Sequence, residues 1–380
     1  MYSKEGGTIM KITLSVIKAD TGSIAGHTKP SVAMLAKARD RIENEGIGKG
    51  LLIDGTVFHV GDDISLFMTH TKGVNNADIH KFAWDTFLET TRIAKSQGLY
   101  GAGQDLLKDA FSGNVRGMGP GSAEMEFEER PSEPFLFFMA DKTSPGVFNY
   151  PLYSSFADPF HNPGLILAPE MKGFTFVIMD VMHEHADKVI TLKTPEDMYD
   201  VATLLRDTER FIIESIWTKA DPGEQCVSVS TSRLHNIAGK YTGKDDPVAI
   251  VRTQKLYPDT GEILSPYATA HYILGDNRGS HHVAVMPVKL NSIVSYFDGP
   301  TIMQCAGFCV HEGKLTEPVD LFDQPFWDTI RAKASKKTIE MRRQGFFNPA
   351  MAPMEELEYT GVMENLKRLE GRFTVRTSEK

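Results

Sequence analysis

Cysteine is scarce in this chain of 380 residues. Only Cys226, Cys305 and Cys309 occur, too few for a disulfide framework, and the Cys305/Cys309 spacing lacks the paired Cys and His company of a zinc site. A reducing cytosol fits this usage. Long apolar runs are missing too. The longest is of the Phe135-Leu136-Phe137-Phe138-Met139-Ala140 kind, far short of the roughly 20 residues that cross a bilayer as a helix. Met1 to Thr8 has no apolar h-region, so no secretory signal is expected; residues 1–9 read as a loose leader, with Met10 an alternative start. Surplus positive charge is also absent. Lys plus Arg number 41 against 50 Asp plus Glu, a formal net charge of −9, the wrong sign for a chain that neutralises duplex phosphates. Nucleic acid and membrane are therefore not expected partners. No internal repeat, low-complexity tract or linker is visible. A domain takes roughly 100 to 200 residues, and the expectation here is one large domain over residues 10–380.

What is present is a globular composition, 41% hydrophobic and 24% charged, with clear periodicities. Ile12, Leu14 and Val16 alternate with Thr13 and Ser15, which predicts a half-buried strand running out at Lys18-Ala19-Asp20. A helix is predicted from Ser31 through Met34, Leu35, Ala38 and Ile42, closed by Gly46. Strands Thr56–Val60 and Ile64–Met68 flank Gly61-Asp62-Asp63, a hairpin turn with two carboxylates. Asn76 to Gln97 places Ile79, Phe82, Ala83, Phe87, Ile93 and Ala94 on one helical face. Further strands are expected at Phe135–Ala140, Gly173–Val181, Arg210–Trp217, Cys226–Ser230 and Val248–Arg252, with a helix start at Thr194-Pro195-Glu196-Asp197. Helices are expected at Phe326–Arg343 and Met354–Phe373. Strands bunched between helix pairs favour an α+β class, sheet packed on sheet with helices outside.

Acids gather where strands end. Asp20, Asp62, Asp63, Asp105 beside Gln104, Asp141, Asp245 and Asp246 all sit at predicted strand ends or in glycine-bearing turns. An oxygen-only donor set suits a hard cation such as Mg²⁺ or Mn²⁺ rather than zinc. Each aspartate alone is also what a turn selects, because its side chain bonds its own backbone; two Asp-Asp doublets, which repel, favour a shared cation. The segment Ser112-Gly113-Asn114-Val115-Arg116-Gly117-Met118-Gly119-Pro120-Gly121 lets backbone N–H groups approach a phosphate, though it lacks the Lys and Ser/Thr of a P-loop, and Arg116 is equally a surface residue. His27 follows the Asp20 strand end. Lys244 is the most informative base. A lysine of pKa about 10.4 must be deprotonated to form an imine; Asp245 and Asp246 oppose this unless a metal takes up their charge. Tyr241 lies three residues earlier, in reach as a proton donor or acceptor. On these residues alone, Lys244 also reads as a solvated loop lysine.

A longer set of motifs goes further. Ser15-Val16-Ile17-Lys18-Ala19-Asp20, His59-Val60-Gly61-Asp62-Asp63, Ala102-Gly103-Gln104-Asp105-Leu106-Leu107, Phe111-Ser112-Gly113-Asn114-Val115-Arg116-Gly117, Met139-Ala140-Asp141-Lys142, Ala238-Gly239-Lys240-Tyr241, Gly243-Lys244-Asp245-Asp246-Pro247, Phe297-Asp298-Gly299-Pro300 and Glu358-Tyr359-Thr360 closely resemble the fructose-1,6-bisphosphate aldolase/phosphatases of archaea and deep-branching bacteria. The match runs in order from about Met10 to about Phe373. The leader is outside it, and Gly279-Ser280-His281-His282-Val283-Ala284-Val285 is less familiar than its flanks.

That resemblance implies a four-layer α-β-β-α sandwich, one catalytic domain, and a cytoplasmic homo-octamer in gluconeogenesis. It implies Mg²⁺-dependent condensation of the triose phosphates dihydroxyacetone phosphate and glyceraldehyde 3-phosphate through a lysine Schiff base, then hydrolysis of the 1-phosphate of the sugar bisphosphate. Carried over residue by residue, Lys244 is the Schiff-base lysine, Tyr241 the aldol proton donor/acceptor and Asp20 the acceptor that activates water. Asp20, His27, Asp62, Asp63, Gln104, Asp141, Lys244, Asp245 and Asp246 surround several Mg²⁺ ions. His27, Tyr100, Gly113, Asn114, Lys142, Gln254, Lys255, Arg278, Asp298 and Tyr359 bind sugar phosphate. A phosphatase that has lost the imine step, and a non-catalytic binder reusing the fold, are the competing readings.

Overall fold

The computed structural model describes residues 10–106, 119–183, 187–220, 222–231, 245–272, 274–277, 281–294, 300–343 and 361–376. Strands β1 (Lys11–Asp20), β2 (Asp54–Val60), β3 (Asp63–His70) and β4 (Gly121–Glu128) form an antiparallel sheet in the order β2-β3-β1-β4. The larger sheet contains β5 (Glu133–Asp141), β6 (Phe174–Asp180), β7 (Asp187–Lys193), β8 (Phe211–Thr218), β9 (Gln225–Val229), β10 (Val248–Arg252), β11 (Leu274–Asn277), β12 (His281–Pro287), β13 (Thr301–His311) and β16 (Thr374–Arg376). Its order is β11-β12-β13-β5-β10-β9-β8-β6-β7-β16, with the short β14 (Lys314–Leu315) and β15 (Val319–Asp320) on β13. Only β12 and β13 run parallel among these pairs.

Side-chain alternation explains the layering. In β5, Phe135, Phe137 and Met139 enter the gap between the sheets, while Leu136, Phe138 and Ala140 face the helices beyond. A strand apolar on both faces has to lie between two layers. Opposite it, Ile12, Leu14, Val16, Phe58 and Phe67 fill the same gap, where Phe67 stacks on Phe308 with ring centroids 4.8 Å apart. Each fully buried side chain of this size contributes about 1.5–3 kcal/mol. On the outer face of the small sheet, helices α1 (Val32–Asp40) and α2 (Ala77–Ser96) close a second core through Met34, Leu35, Ala38, Ile79, Phe82, Ala83 and Phe87. Ser31 caps α1 by accepting from Met34 N, and Asn76 caps α2 by accepting from the N–H groups of Asp78 and Ile79. Helices 149–156, 198–205, 325–342 and 361–370 cover the outer face of the large sheet through Leu152, Phe156, Val201, Leu204, Trp327, Ile330 and Leu369. The result is a four-layer α-β-β-α sandwich of the α+β class. Among the described residues no helix is long and apolar enough to cross a membrane.

Three expectations change. β1 is buried on both faces rather than half-buried: Ile17 and Ala19 join the helix-covered core, and Thr13 and Ser15 on the same face are buried as well. The first helix gives way at Arg41 to a widened π turn through Ile47, where the Arg41 guanidinium reaches Thr86 Oγ1 at 3.0 Å and the carboxylates of Glu45 and Glu89. The last stretch is helical over Gly361–Glu370 and then pairs as β16 with β7; residues 344–360 lie outside the described set.

Candidate active site

The strand period of 2 assembles the site. Continuing the inward row Ile12, Leu14, Val16 along β1 puts Lys18 and Asp20 on the same face. The inward row of β3 (Phe67, Ser65) ends at Asp63, that of β5 (Phe135, Phe137, Met139) at Asp141, and that of β10 (Ile250, Val248) leads back to Asp246. One rim of the inter-sheet gap is thereby lined with acids at the strand ends.

Two groups of donors result. Oxygens of Asp20 and Asp62 and a nitrogen of His27 lie within 4.8 Å of one another, as do oxygens of Asp63, Asp141 and Asp246. His27 Nδ1 is 3.0 Å from Asp62 Oδ2, and its ring meets Tyr100 edge-on with centroids 5.0 Å apart. Lys142 Nζ lies between the groups, 2.6 Å from Asp62 Oδ1 and 3.0 Å from Asp141 Oδ1. Asp246 N donates to Thr143 O, and Thr143 N donates to Asp246 Oδ1 at 2.7 Å. Gly61, at φ +51°, makes the close approach possible. A Cβ there would fall 1.5 Å from Asp141 Oδ2.

The charges are crowded. Burial, reinforced by Asp62, Asp63 and Asp105, pushes the Asp20 carboxyl well above its usual range. Burial acts likewise on Asp141, helped by Asp62, Asp246 and Asp63 against the pull of Lys142. Burial would raise Asp62 too, but Lys142 and His27 outweigh it and hold that carboxyl well below the usual range. Lys142 stays protonated well beyond its ordinary range, because Asp141 and Asp62 outweigh its own burial.

A divalent cation fits this arrangement. Asp141 is fully buried, yet neither of its oxygens has an aligned hydrogen-bond donor. Such an oxygen costs about 1–3 kcal/mol, and Lys142 faces only Oδ1, off the hydrogen-bond axis. The donor set is carboxylate oxygen with one imidazole, which suits a hard cation.

Asp20, His27, Asp62, Asp63, Asp141, Lys142 and Asp246 are thus brought together, with Tyr100 beside His27 and Asp245 buried next to Asp246. Gln104 sits in the short turn Gln104–Leu106, where its neighbour Asp105 makes the contacts: Asp105 Oδ2 accepts from Asp20 N at 2.8 Å, and Oδ1 from Gly119 N at 2.9 Å. Gln254 and Lys255 stand beyond the far end of β10, roughly 20 Å from Asp246 at the strand rise per residue. There Gln254 N donates to Pro258 O, and Lys255 Nζ to Pro131 O at 2.5 Å. Gly113, Asn114, Tyr241, Lys244, Arg278, Asp298 and Tyr359 lie outside the described residues.

Sequence reading missed Lys18. Its side chain is only 1% exposed, its Nζ lies 2.5 Å from Asp63 Oδ2, and it donates to the main-chain oxygen of Asp246. The signal was its parity, two residues before Asp20 on the inward row.

The sequence pattern of a family described as fructose-1,6-bisphosphatase matches residues 11–374. A fructose-1,6-bisphosphate aldolase/phosphatase of Thermus thermophilus is 56% identical over 366 residues, 96% of this chain and 100% of its own length. Proteins of the same name from Cenarchaeum symbiosum and Methanothermobacter marburgensis are 49% and 47% identical, covering 92% and 96% of this chain and 91% and 99% of theirs. With its acid-lined rim and this similarity along nearly its whole length, the chain belongs to the fructose-1,6-bisphosphate aldolase/phosphatase family.

Proposed function

We propose that the protein is a bifunctional gluconeogenic enzyme. It joins dihydroxyacetone phosphate to glyceraldehyde 3-phosphate and then hydrolyses the 1-phosphate of the fructose 1,6-bisphosphate formed. The observation that carries this reading is the surplus of buried carboxylate at one rim, with the Asp141 oxygens lacking aligned donors.

Mg²⁺, held by Asp20, His27, Asp62, Asp63, Asp141, Asp245 and Asp246, supplies Lewis-acid stabilisation of phosphate charge when bound. Asp20 accepts a proton from the attacking water. Lys142 and Tyr100 stand beside the acids and hold phosphate, with Gly113, Asn114, Arg278, Asp298 and Tyr359 completing the sugar-phosphate contacts. Lys244, one residue from Asp245 in sequence, adds as the free amine to the ketone carbon, and the carbinolamine so formed expels the former carbonyl oxygen as water to give the imine. Tyr241 moves the aldol proton. Lys142 is a poor imine former in comparison, since Asp141 and Asp62 keep it protonated. Gln254 and Lys255 take no part in the site of their own chain.

The working form is a cytoplasmic homo-oligomer, an octamer by family likeness. Phe160, Ile166 and Leu167, 100%, 70% and 77% exposed, support burial against another copy. Light scattering that gave a single-chain mass at micromolar concentration would contradict this.

The deciding experiment treats the enzyme with dihydroxyacetone phosphate and borohydride, then assays phosphate release from fructose 1,6-bisphosphate with and without Mg²⁺. Covalent trapping that Lys244→Arg abolishes, with Mg²⁺-dependent hydrolysis in the parent, is expected. Hydrolysis without any trapping would leave a phosphatase alone, and full hydrolysis after exhaustive chelation would remove the metal from the reaction.

A further inference from the structure

Lys142 stands where strand geometry should not put it. Consecutive strand residues point to opposite faces, so with Asp141 facing the inter-sheet gap the next side chain belongs on the other side. Lys142 has φ +62° instead, a left-handed conformation that costs a non-glycine residue of order 1–3 kcal/mol and persists only where its surroundings enforce it. Thr301 Oγ1 donates to the Lys142 carbonyl at 2.7 Å. Across the rim, Asp246 is also left-handed at φ +48°, tied through its own N–H and carboxylate to Thr143. These constraints turn the Lys142 side chain back onto the acid face.

The ammonium then bridges the two donor groups. It sits 2.6 Å from an oxygen of Asp62, in one group, and 3.0 Å from an oxygen of Asp141, in the other. The side chain is 12% exposed, so water screens these pairs little. An oxygen occupied by an ammonium is a weaker ligand for a divalent cation, and two cations a few ångströms apart repel.

We propose that Lys142 is a tethered counter-cation that competes with the divalent metal for Asp62 and Asp141, and that metal loading turns it toward the phosphate of the substrate. This rests on the metal-dependent reading above. It makes metal and phosphate binding cooperative, because the metal releases the lysine that the phosphate needs, and by linkage the coupling is reciprocal.

The test is calorimetric titration of the full-length protein with Mg²⁺ alone, then with inorganic phosphate at zero and saturating Mg²⁺. Lys142→Met should bind Mg²⁺ at least fivefold more tightly than the parent, while binding phosphate at saturating Mg²⁺ at least tenfold more weakly. The Mg²⁺-induced gain in phosphate affinity should shrink but not vanish, since a bound cation attracts phosphate directly. Lys142→Arg, which keeps the charge, should move both affinities back toward the parent. A purely structural lysine would weaken Mg²⁺ binding or leave it unchanged on removal, and either result overturns the proposal. A parent that binds no Mg²⁺ would instead overturn the metal reading beneath it. Should circular dichroism show Lys142→Met unfolded, Lys142→Gln is read by the same criteria.

Discussion

Glu133 opens β5 and Asp141 closes it, both buried and both in register with the inward row Phe135, Phe137, Met139. Glu133 receives Arg252 on both oxygens, at 3.0 and 3.1 Å, and Arg130 on both, at 2.8 and 3.1 Å. Arg252, itself 1% exposed, also lies over the rings of Phe127 and Tyr257. Burial would raise Glu133, but the two guanidinium groups outweigh it and hold its carboxyl low. Asp141 has one off-axis ammonium and a ring of other acids, and is pushed up. The same strand therefore ends in a saturated charge cluster at one rim and a surplus of negative charge at the other. A saturated cluster fixes structure; a surplus is what an incoming cation and phosphate can use.

Breaking each end should give opposite outcomes. Asp141→Asn should lower Mg²⁺-dependent phosphate release at a fixed Mg²⁺ concentration by about a hundredfold, the upper range for disturbing a metal site. Its stability after chelation should hold or rise, because a repelled carboxylate has been removed; initial rates and scanning calorimetry in chelator check the two halves. Glu133→Gln should do the reverse. Breaking a buried ion pair costs about 3–5 kcal/mol, read as a lower denaturant midpoint, while turnover per folded molecule changes less than about twofold, a difference under 0.5 kcal/mol.

Lys18→Met tests the boundary between the two behaviours. It removes the buried ammonium that pairs with Asp63 and should destabilise the chelated protein by about 3 kcal/mol. Mg²⁺ should return part of that loss in melting temperature by taking over as counter-charge, whereas Glu133→Gln gains only what the parent gains.

A third buried cluster surrounds His70 in the small sheet. His70 Nδ1 accepts from Lys72 N at 3.1 Å and its Nε2 is 2.8 Å from Ser15 Oγ, which donates to Glu124. Burial pushes His70 down to about 4 from its ordinary 6.5. The unfolded chain then binds the proton that the folded chain refuses, so stability is lost as pH falls from about 6.5 toward 4, by at most about 3 kcal/mol. His70→Gln should flatten the acid limb of a plot of melting temperature against pH. An unchanged limb would mean that other groups control it.

Much of this is legible in the sequence. The alternation in Ile12, Leu14, Val16 and the run Phe135–Ala140 specify strands, and the Asp doublets point to the rim, since both follow from period 2 and turn chemistry. Gly121–Glu128 has no counterpart among the predicted strands, although Ala123, Met125 and Phe127 alternate with Ser122, Glu124, Glu126 and Glu128 just as cleanly. A lysine in a strand is usually solvated; the pairing of β1 with β3, which sets Asp20 opposite Asp63, and the approach of Asp246 bury Lys18. The left-handed turn at Lys142 has no local sequence signal, being enforced by Thr301 from a strand far along the chain. What separates Glu133 from Asp141 is a pair of guanidinium groups, Arg130 from three residues before it and Arg252 arriving from β10.

The Asp141 rim suits a divalent cation and the Glu133 rim does not. Scanning calorimetry of the parent, Asp141→Asn and Glu133→Gln, each first chelated and then given saturating Mg²⁺, tests it directly. A ligand at 100 times its Kd adds about 2.7 kcal/mol of stability. Parent and Glu133→Gln should gain the same Mg²⁺-dependent rise from different starting points, and Asp141→Asn should start at least as high as the parent and gain little. An undiminished rise in Asp141→Asn, or a loss of metal-free stability as large as that of Glu133→Gln, would contradict it.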